Sequence, residues 1–199
     1  MPEQTTHRET LLDAAQGLML SKGFPATKVD EICKAAGVTK GSFYYHFESK
    51  DDLARALIDH YFNRLTKAFE GEPWMAFEDP AERVYALLDA VIGVMKGPLL
   101  KHGCLLGSFA LDLSETHPDI RRAIDERFAK LVGVIEPHLR AALKKKPKQS
   151  GINAKALSSQ FLAVLQGAIV LSKASGDHAQ LAASMRCYKE MVRAVLESN

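Results

Sequence analysis

The chain has 199 residues, of which 47% are hydrophobic and 25% charged, with 26 Lys and Arg against 24 Asp and Glu for a formal net charge of +2. That length holds one large domain or a small domain joined to a medium one, and the composition is that of a soluble, well-packed protein. So weak a charge excludes any case for nucleic-acid binding built on bulk electrostatics; such a case must rest on where particular groups stand.

Strand signals are nearly absent and helical spacing runs through the whole chain. Leu11, Ala15, Leu18 and Met19 mark the first helix, which Gly23 can end with a left-handed cap. Thr27 with Asp30 has the form of a capping box opening a short second helix, with Ile32, Ala35 and Ala36 on its apolar side. Gly37 supplies a turn, Thr39 caps a third helix reaching about Phe47, and Ser49 with Asp52 starts a fourth. The fourth carries Leu53, Leu57, Ile58, Tyr61, Phe62 and Leu65 on one stripe. GEPWMAFEDP, residues 71 to 80, reads as an irregular break, and Asp79-Pro80 as the start of a fifth helix. Gly97-Pro98 and His102-Gly103 end that helix, a sixth covers Cys104 to Ser114, and a seventh begins near Pro118 with a kink expected at Pro137. Beyond the basic run KKKPK and a turn at Gly151, two last helices run from about Ala154 to Ala174 and from Asp177 to Ser198. The expected fold is therefore all-α, with about nine helices.

Helices two and three, joined at Gly37, form a helix-turn-helix. Within GVTKGSFYYHFESKDDL, residues 37 to 53, the third helix is the candidate reader. At about 100° per residue, Phe43 and Phe47 fall about 40° apart and can plug into helices one and two. Lys40, Gly41, Tyr44 and Tyr45 cover the opposite arc: a cation, a bare stretch of backbone and two phenols. Such a face suits a major groove, because ammonium and hydroxyl groups donate to phosphates and base edges, and a glycine lets the backbone approach closely. Thr27 and Thr39 stand at helix N-termini, which attract phosphate oxygens, and Lys50 at the start of helix four can clamp the same strand.

The run T-x-x-x-I-x-x-x-A-G-V-x-K-G-x-F-Y-x-H-F-x-S-K-x-x-L, from Thr27 to Leu53, resembles the N-terminal domain of the TetR family of transcriptional regulators. The resemblance implies that Lys40, Gly41, Tyr44 and Tyr45 face bases or nearby backbone, and that Thr27, Thr39, His46 and Lys50 hold phosphates. It also implies a helix-turn-helix DNA-binding domain over residues 1–52 and a ligand-binding and dimerisation domain over residues 53–199. The partners implied are a palindromic double-stranded operator, a second copy of the chain and a small apolar or electrophilic effector. The function expected is a cytoplasmic, ligand-responsive repressor. An architectural or activating DNA-binding protein without an effector is the alternative.

In the second half, Leu157, Phe161, Val164, Ala168 and Leu171 repeat at 4-3-4-3 spacing, as do Leu181, Met185, Tyr188, Val192 and Val195. Helix eight has a further apolar row, Leu162, Leu165 and Ile169, and a helix apolar on two sides has more than one partner. These rows are either buried inside one subunit or, the reading favoured, packed in a four-helix bundle made by helices eight and nine of two subunits. Trp74, Met75, Phe77, Tyr85, Met95, Phe109 and Phe128 are candidates to line an effector pocket among helices four to eight. KHGCLLGSFALDLSE, Lys101 to Glu115, resembles a segment of electrophile-sensing TetR-family repressors that carry cysteine in a Gly-Cys-Leu context. Cys104 lies near a helix N-terminus, where the dipole can stabilise a thiolate, with Lys101 and His102 close by. Cysteine is also often a small buried hydrophobe, and Cys33 and Cys187 are read that way.

Other function classes find little support. Cys104 and His102 have no orienting third group, and residues two apart on a helix do not face each other, so no enzyme is expected. ETHPDIRRAIDE, Glu115 to Glu126, reads as an acidic cap and a solvated helix face, with no metal site and no cofactor. Three widely spaced cysteines argue against a disulfide framework and fit a reducing cytoplasm. The polar N-terminus lacks the apolar core of a signal peptide, and FLAVLQGAIVL, Phe161 to Leu171, is too short to span a membrane.

Overall fold

The computed structural model describes residues 6–71, 73–95, 97, 100, 102–144 and 152–198. Among them there are nine α-helices, one 3-10 turn and no strand. The expectations for Lys101, the KKKPK run beyond Lys144 and the turn at Gly151 lie outside the described residues. Packing divides the chain into two compact units. One comprises residues 1–67 with 104–125, the other residues 68–103 with 126–199.

The first unit is built from α1 (His7–Lys22), α2 (Val29–Ala36), α3 (Lys40–His46), α4 (Lys50–Lys67), α6 (Leu105–Leu113) and the first turns of α7 (Pro118–Leu143). A full capping box opens α1: the Thr6 hydroxyl accepts from Glu9 N–H, and the Glu9 carboxylate accepts from Thr6 N–H. Its buried row is Leu11, Leu12, Ala15, Met19 and Leu20, while Leu18 is only half-buried. Gly23 ends the helix at φ 83° and ψ 162°, a positive φ outside the left-handed helical region that was expected. The box expected from Thr27 and Asp30 is instead half a box one residue on, with Glu31 accepting from Lys28 N–H at 2.9 Å. In α2 the buried residues are Ile32 and Cys33, and Ala35 is exposed. Gly37 does adopt the left-handed conformation, φ 67° and ψ 28°, so the Val38 N–H reaches the Cys33 carbonyl at 3.0 Å and the chain reverses tightly into α3.

Helix α4 buries Leu53, Ala54, Leu57, Ile58, Tyr61 and Leu65 against α1 and α6, leaving Phe62 half-buried. On its outer side Arg64 donates to Asp13 of α1 at 2.6 Å. Helix α6 buries Leu105, Leu106, Phe109 and Leu113. Its Asp112 carboxylate accepts from the Phe24 N–H at 2.9 Å, tying α6 to the loop between α1 and α2.

The second unit holds the 3-10 turn Pro73–Ala76, α5 (Pro80–Met95), the rest of α7, α8 (Ala154–Ser175) and α9 (Ala179–Glu197). Pro137 lies inside α7. Helices α8 and α9 pack on each other, and the buried Tyr188 hydroxyl donates to the Leu157 carbonyl at 2.7 Å. Leu181, Met185, Tyr188 and Val192 are all buried inside the single chain, as are Phe161, Leu165 and Ala168. Most of the α9 row and the middle of the α8 row are therefore covered within one chain, in place of the subunit interface expected for them, while Leu171 at the end of the α8 row is exposed. A 4-3-4-3 repeat shows that a helix face is covered, and here α8 and α9 of one chain cover each other.

Apart from Leu171, the residues left outward lie off those rows. On α8 they include Ala163, Gly167, Val170, Leu171 and Ala174; on α9, Ala183, Cys187, Met191 and Ala194. Cys187 is thus exposed, contrary to its reading as a packed residue. The apolar stretch expected to be too short for a membrane lies in a 22-residue helix with mean hydropathy 1.4 over 18 residues, enough by length and composition to span one.

Candidate nucleic-acid interface

The reader helix begins with a cap. The Thr39 hydroxyl accepts from Ser42 N–H at 3.1 Å and fixes the first turn of α3, so that successive side chains fall where the helical period puts them. Phe43 and Phe47 point inward, both buried, with ring centroids 5.8 Å apart. Tyr44 and Tyr45 point outward, 53% and 84% exposed. Tyr44 stands edge-on to Phe43 at 5.2 Å, and Tyr45 edge-on to the half-buried His46 at 4.9 Å. Two phenols are therefore held on a rigid aromatic base with their hydroxyls toward solvent. Gly41 is exposed, and a Cβ added there would meet only the Thr39 hydroxyl at an ordinary 3.7 Å. The fold does not need glycine at that position, so its absent side chain matters to whatever approaches the helix from outside.

Lys40, Gly41, Tyr44 and Tyr45 are thus exposed along α3, and His46 in its last turn is half-buried. Thr39 belongs with them but uses its hydroxyl oxygen as the cap. Two expected phosphate contacts are turned inward. Thr27 is 1% exposed, and its hydroxyl donates to the Gly23 carbonyl at 2.7 Å. The Lys50 ammonium donates to the carbonyls of Phe24 at 3.0 Å and Thr27 at 3.1 Å, and sits 4.1 Å from the centroid of the Phe24 ring. Its clamp is on the α1–α2 loop.

Several charged groups here had no sequence signal. Lys40 pairs with Asp30 of α2 at 2.8 Å, and that contact holds the ammonium above its ordinary pKa. Glu31, hydrogen-bonded to Lys22 at 2.6 Å and to the Lys28 N–H, is held below the usual carboxylate range. Arg8 lies 5.3 Å above the Phe47 ring. The Lys40–Asp30, Glu31–Lys22 and Arg8–Phe47 contacts join different elements, which one-dimensional spacing does not register.

Cys104 occupies the N-cap position of α6 and is buried; His102 is exposed. The Tyr61 hydroxyl is buried without a hydrogen-bond partner. Burial first, and the nearby Cys104 thiol second, push its pKa well above the ordinary phenol range. The pocket candidates differ in burial. Trp74, Tyr85, Met95 and Phe109 are buried, Phe128 is half-buried, and Met75 and Phe77 are exposed. A cavity of about 430 Å³ lined by Asp79, Ala81, Glu82, Tyr85, Ala142, Leu196 and Glu197 includes only Tyr85 of that set.

A capped helix with its aromatic pair inward and its phenols, lysine and bare glycine outward, set behind a glycine turn, defines a helix-turn-helix DNA-binding protein. Residues 11–57 match the bacterial regulatory proteins of the tetR family, and residues 80–188 match the tetracyclin repressor-like C-terminal domain. The chain belongs to the TetR family of DNA-binding transcriptional regulators, which are regulators and not enzymes. It is 27% identical over 170 residues, 85% of each chain, to an uncharacterized HTH-type transcriptional regulator in the lacX 3' region of Lactococcus lactis. It is 29% identical to the HTH-type transcriptional repressor NemR of Escherichia coli over 63% of this chain and 64% of NemR. Its fold is similar to the crystal structure of a regulatory protein TetR from Rhodobacter sphaeroides, with TM-score 0.76 and 25% identity over 92% of this chain and 97% of that one.

Proposed function

We propose that the protein is a cytoplasmic, homodimeric repressor that binds a palindromic operator and is released by a small-molecule effector. In this reading residues 1–52 read DNA, and residues 53–199 dimerise and sense. The observation that carries it is the outward face of α3, where two exposed phenols and Lys40 surround a glycine the fold does not require. Tyr44, Tyr45, Lys40 and Gly41 would meet base edges and adjacent backbone, with Thr39 and His46 at phosphates. Thr27 and Lys50 would serve mainly by holding the α1–α2 loop that carries α2. Two copies of α3 related by a two-fold axis would enter successive major grooves about 34 Å apart. The outward apolar faces of α8 and α9 support a second copy of this chain as the dimer partner, since a contiguous apolar patch marks an interaction surface. The test is fluorescence anisotropy with genomic promoter fragments. Wild-type binding should fall steeply with salt. Full retention of affinity by a Tyr45→Ala, Lys40→Met double variant would remove α3 as the reader.

For the effector, the reading is a small soft electrophile or apolar compound sensed at Cys104. Support comes from the position of Cys104 at the start of α6, whose other end grips the Phe24 N–H through Asp112. An adduct that repacks Leu105, Leu106 and Phe109 would pull on the α1–α2 loop. A bias of about 1–3 kcal/mol toward the non-binding state is enough to matter. Cys104→Ser should bind operator normally yet stay bound when a quinone or aldehyde is added. Equal release from variant and wild type would leave Cys104 as packing and favour a non-covalent apolar effector. No release of the wild type by any compound would favour a regulator without an effector.

A further inference from the structure

The first turn of α2 carries two adjacent carboxylates that behave differently. Glu31 is engaged twice, by the Lys28 N–H at 2.9 Å and by the Lys22 ammonium at 2.6 Å, so it holds the start of α2 and the end of α1. Asp30 points the other way, across the turn to the first residue of α3, and its Oδ1 lies 2.8 Å from Lys40 Nζ. The two side chains of that pair are 71% and 58% exposed. An ion pair so open to water contributes little to holding a fold together. An acidic group beside a DNA-reading helix also repels phosphate, which makes its presence there a feature that needs a use.

We propose that Asp30 is a positioning residue for base recognition, bracing Lys40 so that the pair reads a G·C base pair in the major groove. A lysine without such a partner is a flexible point charge that settles on the nearest phosphate. With one N–H tied to Asp30, the Lys40 ammonium keeps two donors in restricted directions, and its net charge toward the backbone is reduced. Guanine presents two adjacent acceptors on its major-groove edge, N7 and O6, and the paired cytosine presents the N4 amino donor. Two lysine N–H donors beside one carboxylate acceptor match that arrangement. Adenine puts a donor where O6 stands and thymine puts an acceptor and a methyl where the cytosine amine stands, so an A·T pair fails both halves of the match. Tyr44 follows one turn along the same face of α3 and is exposed. The inference rests on the reading of α3 as the DNA-facing helix.

The test is selection of binding sites from a random-sequence duplex pool by the full-length protein, its Asp30→Asn variant and its Lys40→Met variant, with circular dichroism on all three. Wild type should enrich a site in which one position of each half is G·C, preferred over A·T by about tenfold. Asp30→Asn should lose most of that preference at that position alone. Its affinity for non-specific DNA should rise, with a salt slope steeper by about one ion, because Lys40 now reaches phosphate. Lys40→Met should lose the preference without that gain. An unchanged preference in Asp30→Asn overturns the brace, and so does a wild-type site with no G·C position. A folded Asp30→Asn that binds no DNA overturns it as well, since Asp30 would then be needed for binding as a whole. If Lys40→Met alters the selected site and Asp30→Asn does not, only the brace fails. If Lys40→Met changes neither site nor affinity, the reading of α3 fails with it.

Discussion

The outward face of α3 and the outward faces of α8 and α9 are both exposed, yet they are made of opposite materials. On α3 every large exposed side chain carries a polar tip, in Tyr44, Tyr45 and Lys40. On α8 and α9 the exposed row is Val170, Leu171 and Met191 among small residues, with the weak Cys187 thiol as its one polar tip. The first surface suits a partner that stays hydrated and offers acceptors, which describes a DNA groove. The second suits a partner that excludes water, which describes another copy of the same apolar face. Exposure alone therefore says little about a surface; the chemistry of what is exposed says what it meets.

The sharpest way to break this comparison lies within α9, where neighbouring residues face opposite ways. Val192 is 0% exposed and Met191 58% exposed in the single chain. Val192→Glu should bury an unpaired carboxylate under α9 and destabilise the fold by about 4 kcal/mol or more, read as loss of cooperative melting by circular dichroism. Met191→Glu should leave the melting of the helices intact and weaken the dimer by about 3 kcal/mol, read by sedimentation equilibrium. If Met191→Glu remains as dimeric as the wild type, the outward apolar face has some other partner.

A smaller effect tests the inward clamp. Lys50→Met removes two charge-assisted hydrogen bonds to the loop carbonyls and the contact with Phe24. Stability should fall by about 2 kcal/mol in urea titration, before any DNA is present. A variant as stable as the wild type but weaker on DNA would return Lys50 to the phosphate backbone. On the reading face, Tyr45→Ala should weaken operator binding by about tenfold and leave the urea midpoint unchanged, because its side chain is exposed. A shifted midpoint with normal binding would make Tyr45 a packing residue.

How far the sequence reaches follows from the same contrast. The cap at Thr39, the turn at Gly37 and the division of Phe43 and Phe47 from Tyr44 and Tyr45 were legible because they depend on residues within one helical turn of each other. The inward Lys50 was not, since its acceptors on Phe24 and Thr27 lie 26 and 23 residues away and belong to backbone that spacing does not describe. The rows of α9 were half legible. Their period announced a covered face, but two apolar rows on α8 left open which was covered by the same chain. Cys187 shows the consequence: its apolar neighbours suggested packing, yet it faces outward with Met191.

The smallest effect concerns Tyr61, whose hydroxyl is, with the Gln16 side-chain oxygen, one of two buried polar atoms left unpaired among the described residues. Tyr61 is 0% exposed, and its hydroxyl has no hydrogen-bond partner, although the Cys104 thiol and the Leu105 N–H are the polar groups that act on it. A buried hydroxyl without a partner loses its hydration on folding and gains nothing in return, so deleting it should help. Tyr61→Phe should raise the unfolding free energy by about 1 kcal/mol in urea, with the slope of the titration unchanged. A loss of similar size would mean that the hydroxyl bonds to Cys104 or to the first turn of α6 in solution. Repeating the measurement in Cys104→Ala, which removes the side-chain polar group, separates those two cases. If the loss vanishes there, the thiol is the partner. If it persists, the partner is the α6 backbone and the thiol only shares the cavity.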